Sequence, residues 1–202
     1  MFIGESLIYD EFKKLKKIMS KENFKITSVE DGQEYWISRS AAVAIVIYCF
    51  SENGSGSFLI HKRGKGCPDN IGAWSCNCGY INWGERIKRA AVREVYEEIG
   101  LRLNPNQLVD LGYNDPIDTE NENITHRFFV AISEKEAKEK ILSGEINNKT
   151  HLRGGEENEV ESIYLLPATQ ASIESLTIRD GFWAFGHDKL LLKVLENNVY
   201  RD

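Results

Sequence analysis

Residues 79–101 decide the fold of this chain, and they read GYINWGERIKRAAVREVYEEIGL. The stretch from Gly84 to Ile99 has the spacing of a helix. At 3.6 residues per turn, positions three and four apart share one face. Glu94, Glu97 and Glu98 therefore project to the same side. The sequence predicts a helix whose last turns carry three carboxylates together.

Apolar residues precede the carboxylates on that face, namely Ile87, Ala90 and Ala91, so we expect the face to pack against the protein. Like charges four residues apart destabilise a helix by ~0.2–0.5 kcal/mol, and acidic groups in a final turn oppose the helix dipole. A bound divalent cation would remove both penalties, because hard cations prefer carboxylate oxygens. A solvated acidic face is the alternative, and the helix alone leaves both open.

Arg93 supports the metal interpretation, and Gly100 supports the predicted end of the helix. Arg93 stands four residues before Glu97 and can hold that carboxylate in one orientation, as metal-binding carboxylates require. The alternative for this pair is a surface ion pair worth ~0–1 kcal/mol. Gly100 stands where helices commonly end in a left-handed residue.

The segment resembles the Nudix box, G-x5-E-x7-R-E-U-x-E-E-x-G-U, in which U is a bulky apolar residue. The specified positions are all filled, by Gly79, Glu85, Arg93, Glu94, Val95, Glu97, Glu98, Gly100 and Leu101. The literal match covers 23 of 202 residues. The resemblance implies an α/β/α sandwich with a mixed sheet and a hydrolase that cleaves phosphoanhydride bonds.

The same resemblance implies a role for each polar position of the box. The metal ligands, for Mg²⁺ or Mn²⁺ as a substitute, would be the carbonyl of Gly79 and the carboxylates of Glu94, Glu97 and Glu98. Arg93 would orient Glu97, and Glu85, near the start of the helix, would be a supporting partner of the site. Glu97 or Glu98 would take the proton from the attacking water.

Some family members carry the base on a distant loop instead. Residues 154–159 offer Glu156 or Glu157 for that role, although a plain solvated loop is the favoured interpretation.

Candidate substrate-binding residues outside the helix are Arg63, Trp83 and Glu157. Arg63 ends a strand just before the box, where a cation can contact phosphate; a solvated strand end is equally compatible. Trp83 could stack on a base or pack in the core, and core packing is favoured for Trp74. Pro116, sixteen residues beyond Gly100, gives a faint indication of ADP-ribose-type members, and an ordinary turn explains it equally well.

The remaining chain is predicted to form one mixed α/β domain with an extension before it. Residues 1–37 are expected to be an N-terminal helical extension, with a helix from Glu5 to Lys21 that could pack on the domain or mediate a homodimer. Residues 38–202 would form the Nudix domain. Strands are predicted at 38–50, 58–63, 74–79, 108–112, 124–132 and 160–166. Helices are predicted at 133–143, 169–176 and 187–196.

Composition excludes some classes of function. The net charge of −6 argues against binding in a nucleic-acid groove, and the longest apolar stretch, residues 41–50, is half of what a membrane span needs. The N-terminus lacks the pattern of a signal peptide, and the four cysteines are expected to be reduced thiols, so we expect a cytoplasmic protein.

The cysteines near the box raise a second hypothesis. Cys76-Asn77-Cys78-Gly79 replaces the Leu-Pro-Gly-Gly run common in Nudix relatives, which weakens any inference about substrate. Cys67, Cys76 and Cys78 fit buried thiols better than zinc ligands. Isopentenyl diphosphate isomerases share the fold and carry a cysteine in this strand, so an isomerase is one alternative. A non-catalytic nucleotide sensor is another. The intact glutamates favour hydrolysis of a nucleotide substrate.

Overall fold

A computed structural model describes residues 24–27, 32, 34–37, 41–67, 69–82, 84–114, 124–142 and 159–199. The helix predicted from Glu5 to Lys21 lies outside these ranges. Two short antiparallel strands, β1 (Phe24–Thr27) and β2 (Glu34–Ile37), stand in the stretch for which only helical structure was predicted. Within the described ranges, no helix is long and apolar enough to cross a membrane.

A seven-stranded mixed sheet forms the centre of the molecule. Its strands are β3 (Ala41–Phe50), β4 (Gly56–Arg63), β5 (Trp74–Ser75), β6 (Asn77–Tyr80), β7 (Val109–Tyr113), β8 (Ile124–Ser133) and β9 (Val160–Pro167). Strand β3 pairs in parallel with β8 and antiparallel with β4 and β6. Strand β4 also pairs antiparallel with β5 and β9. The predicted mixed sheet is confirmed, and β3 and β4 form an antiparallel hairpin.

Helices cover both faces of the sheet. They are α1 (Ile87–Ile99), α2 (Glu134–Ala137, continued by a π turn over Lys138–Leu142), α3 (Gln170–Asp180) and α4 (His187–Glu196). Short 3₁₀ turns lie at Pro105–Gln107 and Ala184–Gly186. Helix α4 has the predicted bounds, whereas α3 runs four residues further than expected. The helix predicted at 133–143 widens into the π turn after one turn of α-helix.

Alternation along the strands separates two apolar cores. On β3, Val43, Ile45 and Ile47 pack on one side with Ala91 and Val95 of α1. The intervening β3 residues face the other side, where the core includes apolar residues of α3 and α4. Successive side chains of a strand point to opposite faces, so one buried strand supplies both layers. The α/β/α sandwich is confirmed.

Helix α1 begins later than the sequence predicted. Gly84 has a positive φ of 73° and Arg86 is extended, so the first helical residue is Ile87 instead of Gly84. Ile87 is also 40 % exposed, which corrects the expectation that it faces the core with Ala90 and Ala91. The end is as predicted: Gly100 is left-handed (φ 72°) and its N–H donates to the carbonyl of Tyr96.

Candidate metal and catalytic site

Arg93 connects two of the three acidic residues of α1, Glu94 and Glu97. Its Nη1 lies 2.6 Å from Glu94 Oε1 and 2.8 Å from Glu97 Oε2, and its Nη2 donates to the carbonyl of Tyr80 at 2.8 Å. Burial by itself would lower the pKa of Arg93, but the hydrogen bond to Glu85 and the charge of Glu94 raise the pKa above its usual value. The contact required for Arg93 to orient Glu97 is present.

Glu85 joins the turn before α1 to the same arginine. Its Oε1 accepts from Arg93 Nε at 2.9 Å, while Oε2 accepts from Arg93 Nη2 at 3.0 Å and from the backbone N–H of Asn82 at 3.0 Å. The turn that precedes the helix is therefore tied to the side chain that holds the carboxylates. This is the position that a supporting role for Glu85 requires.

Glu94 lies directly against the backbone of Gly79. A Cβ at position 79 would lie 2.2 Å from the carboxyl carbon of Glu94, so no side chain fits there while the carboxylate keeps its place. Burial raises the pKa of Glu94 to about 7; Arg93 opposes this rise, and the charges of Glu97 and Glu159 add to it. The first glycine of the motif is thus the contact surface for one of its carboxylates.

Glu98 turns inward beneath this group and is only 7 % exposed. Its Oε2 accepts from Asn77 Nδ2 at 2.7 Å and from the backbone N–H of Cys78 at 3.1 Å. Its Oε1 faces His61 Nε2 at 3.9 Å, beyond hydrogen-bonding distance. Burial, and then the charge of Glu94, raise the pKa of Glu98 well above its usual range.

The carboxylates of α1 do not form a solvated face. The side chains of Glu94, Glu97 and Glu98 are 13, 20 and 8 % exposed. Within the described ranges, no three His, Cys, Asp or Glu side chains already converge as a ligand set. The side chains nevertheless fit a hard dication, because they offer carboxylate oxygens. The charge of Glu94 raises the pKa of Glu98, and Arg93 contacts Glu94 and Glu97.

Arg63 lies at the end of β4, where it is 6 % exposed. Its Nη2 contacts Asp69 Oδ1 at 2.9 Å, and Nε and Nη2 both donate to the Asp69 carbonyl at 3.2 Å. Its guanidinium lies 5.0 Å from the ring centroid of Phe185, a 45 % exposed residue with a φ of 55°. The charge of Arg63 lowers the pKa of Glu98, so the guanidinium lies close enough to act on the acidic site.

Other residues singled out from the sequence either fall outside the described ranges or pack in the core. Trp83, Pro116, Glu156 and Glu157 fall outside the residues that the structure describes. Trp74 is 8 % exposed and packs in the core beneath α3 and α4, the position favoured for it above.

Three residues at or near the site were not among the candidates: Asn77, Glu159 and Phe185. Asn77 carried a usable signal, because a polar residue in a short buried strand beside the motif needs a partner. Glu159 is the last residue of the acidic segment 154–159 and directly precedes β9. Its charge raises the pKa of Glu94 and of Glu98. Phe185 carried no comparable signal, since its position depends on a 3₁₀ turn after α3.

A separate polar group lies where β5 gives way to β6. His187 Nδ1 accepts from the backbone N–H of Cys76 at 3.1 Å and lies 3.1 Å from Ser75 Oγ. Burial lowers the pKa of His187 to about 3, so the ring is neutral at pH 7.

The cysteines are free thiols, namely Cys49, Cys67, Cys76 and Cys78. Burial raises the pKa of the Cys78 thiol well above its usual value.

Comparison with known proteins extends the resemblance beyond the box. A sequence model of the NUDIX domain matches residues 39–181. Among curated proteins, the isopentenyl-diphosphate Delta-isomerase of Pectobacterium atrosepticum is 31 % identical over 102 residues, which are 50 % of this chain and 56 % of that protein. The chain thus matches little more than half the length of this curated relative.

Solved structures share the fold at low identity. A mutT/nudix family protein from Listeria innocua is 24 % identical with a TM-score of 0.54, over 81 % of this chain and 96 % of that one. The NUDIX domain of Shewanella oneidensis NrtR, solved with ADP ribose, is 13 % identical with a TM-score of 0.52, over 78 % and 86 %. The motif, the fold and the matched domain agree: the chain belongs to the Nudix family.

Proposed function

We propose that this chain is a Mg²⁺-dependent pyrophosphohydrolase, in which Mn²⁺ can substitute, acting on a nucleoside diphosphate linked to another group or on a nucleoside triphosphate. The observation that carries the proposal is the set of Glu94, Glu97 and Glu98, whose side chains are 13, 20 and 8 % exposed, with the guanidinium of Arg93 in contact with the first two. Such a set is costly unless a cation joins it. Membership of the Nudix family makes an acid anhydride the expected substrate.

Each residue of the acidic site has a proposed role in binding the cation or in catalysis. Glu94, Glu97, Glu98 and the Gly79 carbonyl would hold the cation, which when bound neutralises diphosphate charge and makes a nearby water more acidic. Arg93 keeps Glu97 in a fixed orientation. Glu97 or Glu98 takes a proton from the attacking water as its oxygen bonds to phosphorus, and the bridging oxygen leaves with the other phosphate.

Glu159 is a further candidate for the general base. Its charge raises the pKa of Glu94 and of Glu98, which supports a position facing the acidic site. Its backbone is anchored, because its carbonyl accepts from the N–H of Gly64 at 2.7 Å. It joins Glu156 and Glu157, which lie outside the described residues, as a loop acid to test by substitution.

We further propose that Arg63 and Phe185 form the substrate side of the site. The guanidinium supplies charge for a phosphate, and the exposed ring beside it offers a stacking surface for a base. A φ of 55° strains Phe185, and such strain commonly marks functional positions. ADP-ribose remains a candidate from the position of Pro116, and the ligand of the Shewanella domain is a reason to assay it.

We also infer that residues 1–37 extend a catalytic domain spanning 38–202, in a cytoplasmic protein that could be a homodimer. The domain match beginning at residue 39 supports the boundary. The free thiols support a reducing compartment.

An isopentenyl diphosphate isomerase activity is the second candidate. Two observations favour it: the 31 % identity to the Pectobacterium isomerase, and Cys78, whose backbone contacts Glu98. The complete network of Arg93 with Glu85, Glu94 and Glu97 favours hydrolysis.

A substrate panel combined with two matched substitutions tests the function. The protein is incubated with Mg²⁺ and ADP-ribose, dinucleoside polyphosphates, nucleotide sugars, NADH or dNTPs, and products are followed by ³¹P NMR. Isopentenyl diphosphate is included, with dimethylallyl diphosphate as its expected isomer. Glu97→Gln and Glu98→Gln should each lower kcat by about 10²-fold or more, the order of a general base contribution.

Glu174→Gln is the control, because Glu174 is an exposed helical glutamate on α3 that bonds Gln170 at 2.7 Å. It should retain full activity. Full activity in both Glu97→Gln and Glu98→Gln would refute the hydrolase proposal, and isomerisation without any phosphate release would replace it with the second candidate.

A further inference from the structure

We propose that Asn77 is a positioning residue for Glu98: it fixes one carboxylate oxygen and leaves the other to the divalent cation. The inference rests on the proposed function, since it takes Glu98 to be a ligand of that cation. Asn77 lies in β6 with 0 % exposure, and its Nδ2 donates to Glu98 Oε2 at 2.7 Å. The N–H of Cys78 donates to the same oxygen at 3.1 Å.

The two oxygens of Glu98 therefore have different surroundings. Oε2 has two donors, one from a side chain and one from the backbone. Among the described residues, the group that faces Oε1 is His61 Nε2, and at 3.9 Å it does not form a hydrogen bond. A carboxylate held through one oxygen keeps its plane fixed while the other oxygen stays available, which is how supporting residues orient metal ligands.

A purely structural role does not account for this asparagine. Asn77 Oδ1 is buried without a hydrogen-bond partner in the described structure, and an unmade hydrogen bond destabilises the fold. Its neighbour across the ladder is Ile45, a core residue, so an apolar side chain would suit the position better. Asn77 is therefore a feature of this chain that serves Glu98.

Mn²⁺ binding to the full-length protein, measured calorimetrically without nucleotide, tests the proposal. Asn77→Val removes the amide, and we expect it to weaken Mn²⁺ binding by roughly 10–100-fold, the usual effect of losing a ligand's support. Ser75→Ala is the matched control, because Ser75 is a fully buried polar residue of the adjoining strand whose hydroxyl contacts His187, the Cys76 carbonyl and, at 3.7 Å, the Cys78 sulfur. It should leave the Mn²⁺ affinity unchanged.

A second pair of proteins shows whether Asn77 acts through Glu98. In the Glu98→Ala background, adding Asn77→Val should cause no further loss of Mn²⁺ affinity, because the group that Asn77 positions is gone. Equal losses in both backgrounds, or an unchanged affinity in Asn77→Val alone, would overturn the inference.

The remaining outcomes are also decisive. Urea unfolding checks that each variant is folded. If Asn77→Val does not fold, Asn77→Ser replaces it, because serine removes the amide but keeps a small polar side chain. The expected loss of Mn²⁺ affinity, and the results that would overturn the inference, are the same for Asn77→Ser. If the unsubstituted protein binds no Mn²⁺, the proposed function fails; if it binds and Asn77→Val binds equally well, only the positioning inference fails.

Discussion

Two buried polar clusters lie beside residues 75–78. We assign a structural role to one of them and a functional role to the other, because their hydrogen bonding and their acidic content differ. The histidine cluster consists of Ser75, the N–H of Cys76 and His187 of α4. The glutamate cluster consists of Asn77, the N–H of Cys78, Glu98 of α1 and His61. They reach helices on opposite faces of the sheet, because the chain changes its ladder partner from β4 to β3 at Cys76.

The histidine cluster contains a base that burial keeps neutral, whereas the glutamate cluster contains a buried carboxyl group. His187 has a pKa lowered by burial and accepts a backbone hydrogen bond, so it costs little at pH 7. In the glutamate cluster, Glu98 is acidic and buried. Among the described residues, three buried side-chain atoms lack a hydrogen-bond partner. Two of them, His61 Nδ1 and Asn77 Oδ1, belong to the glutamate cluster, and the third, Trp74 Nε1, lies in the core. Two of the three unpaired atoms thus belong to the cluster for which we propose a metal ligand.

The largest effect, a loss of Mn²⁺ affinity, is expected at Gly79, where the backbone contacts the Glu94 carboxylate. Gly79→Ala would place a Cβ 2.2 Å from the Glu94 carboxyl carbon, so the carboxylate must move. We expect Mn²⁺ affinity, measured calorimetrically, to fall by roughly 10–100-fold. Gly56→Ala is the matched control: its Cβ would clash at 1.9 Å with the Tyr48 hydroxyl, away from the acidic site. It should cost about 1–3 kcal/mol of stability with unchanged affinity, and equal affinity losses in both variants would contradict the comparison.

An intermediate effect is expected from the histidine cluster, on stability alone. The folded pKa of His187, about 3, lies below the usual 6.5. Between pH 6.5 and 3 the unfolded chain binds a proton that the folded chain does not, so the free energy of unfolding falls as pH decreases, by at most about 1.4 kcal/mol per pH unit. Above pH 6.5 this contribution is complete and constant.

His187→Asn tests that dependence, because the asparagine oxygen can accept the Cys76 N–H in place of Nδ1. We expect about 0.5–3 kcal/mol of destabilisation at pH 7.5 and a shallower loss of stability between pH 6.5 and 5 than in the unsubstituted protein, both by urea unfolding. Mn²⁺ affinity should not change. An unaltered pH slope would show that the protonation of His187 does not limit acid stability.

The contrast also explains what the sequence could predict. Spacing alone placed Glu94, Glu97 and Glu98 on one side of a helix, because a helix has a fixed period. Arg93 could be paired with Glu97 for the same reason, and the structure has that contact. Predictions of this kind depend on local geometry, which the sequence contains directly.

The missed features depend on long-range packing. Asn77 reaches Glu98 across 21 positions, and His187 reaches Cys76 across 111. Neither distance follows from a local period. The start of α1 was wrong by three residues for a different reason: Gly84 takes a positive φ and forms a turn that the helical pattern does not reveal.

The smallest effect is expected at Arg63, whose charge acts on both clusters, since it lowers the pKa of His187 and of Glu98. Asp69 is 57 % exposed and pairs with it, so Asp69→Asn should keep the guanidinium in place through the backbone carbonyl while freeing its charge for a diphosphate. We expect KM to fall about two- to fivefold, less than about 1 kcal/mol, with kcat unchanged. Steady-state kinetics on the best substrate of the panel measure both. A KM that stays constant or rises would contradict a phosphate contact at Arg63 and leave this residue as a purely structural link between the clusters.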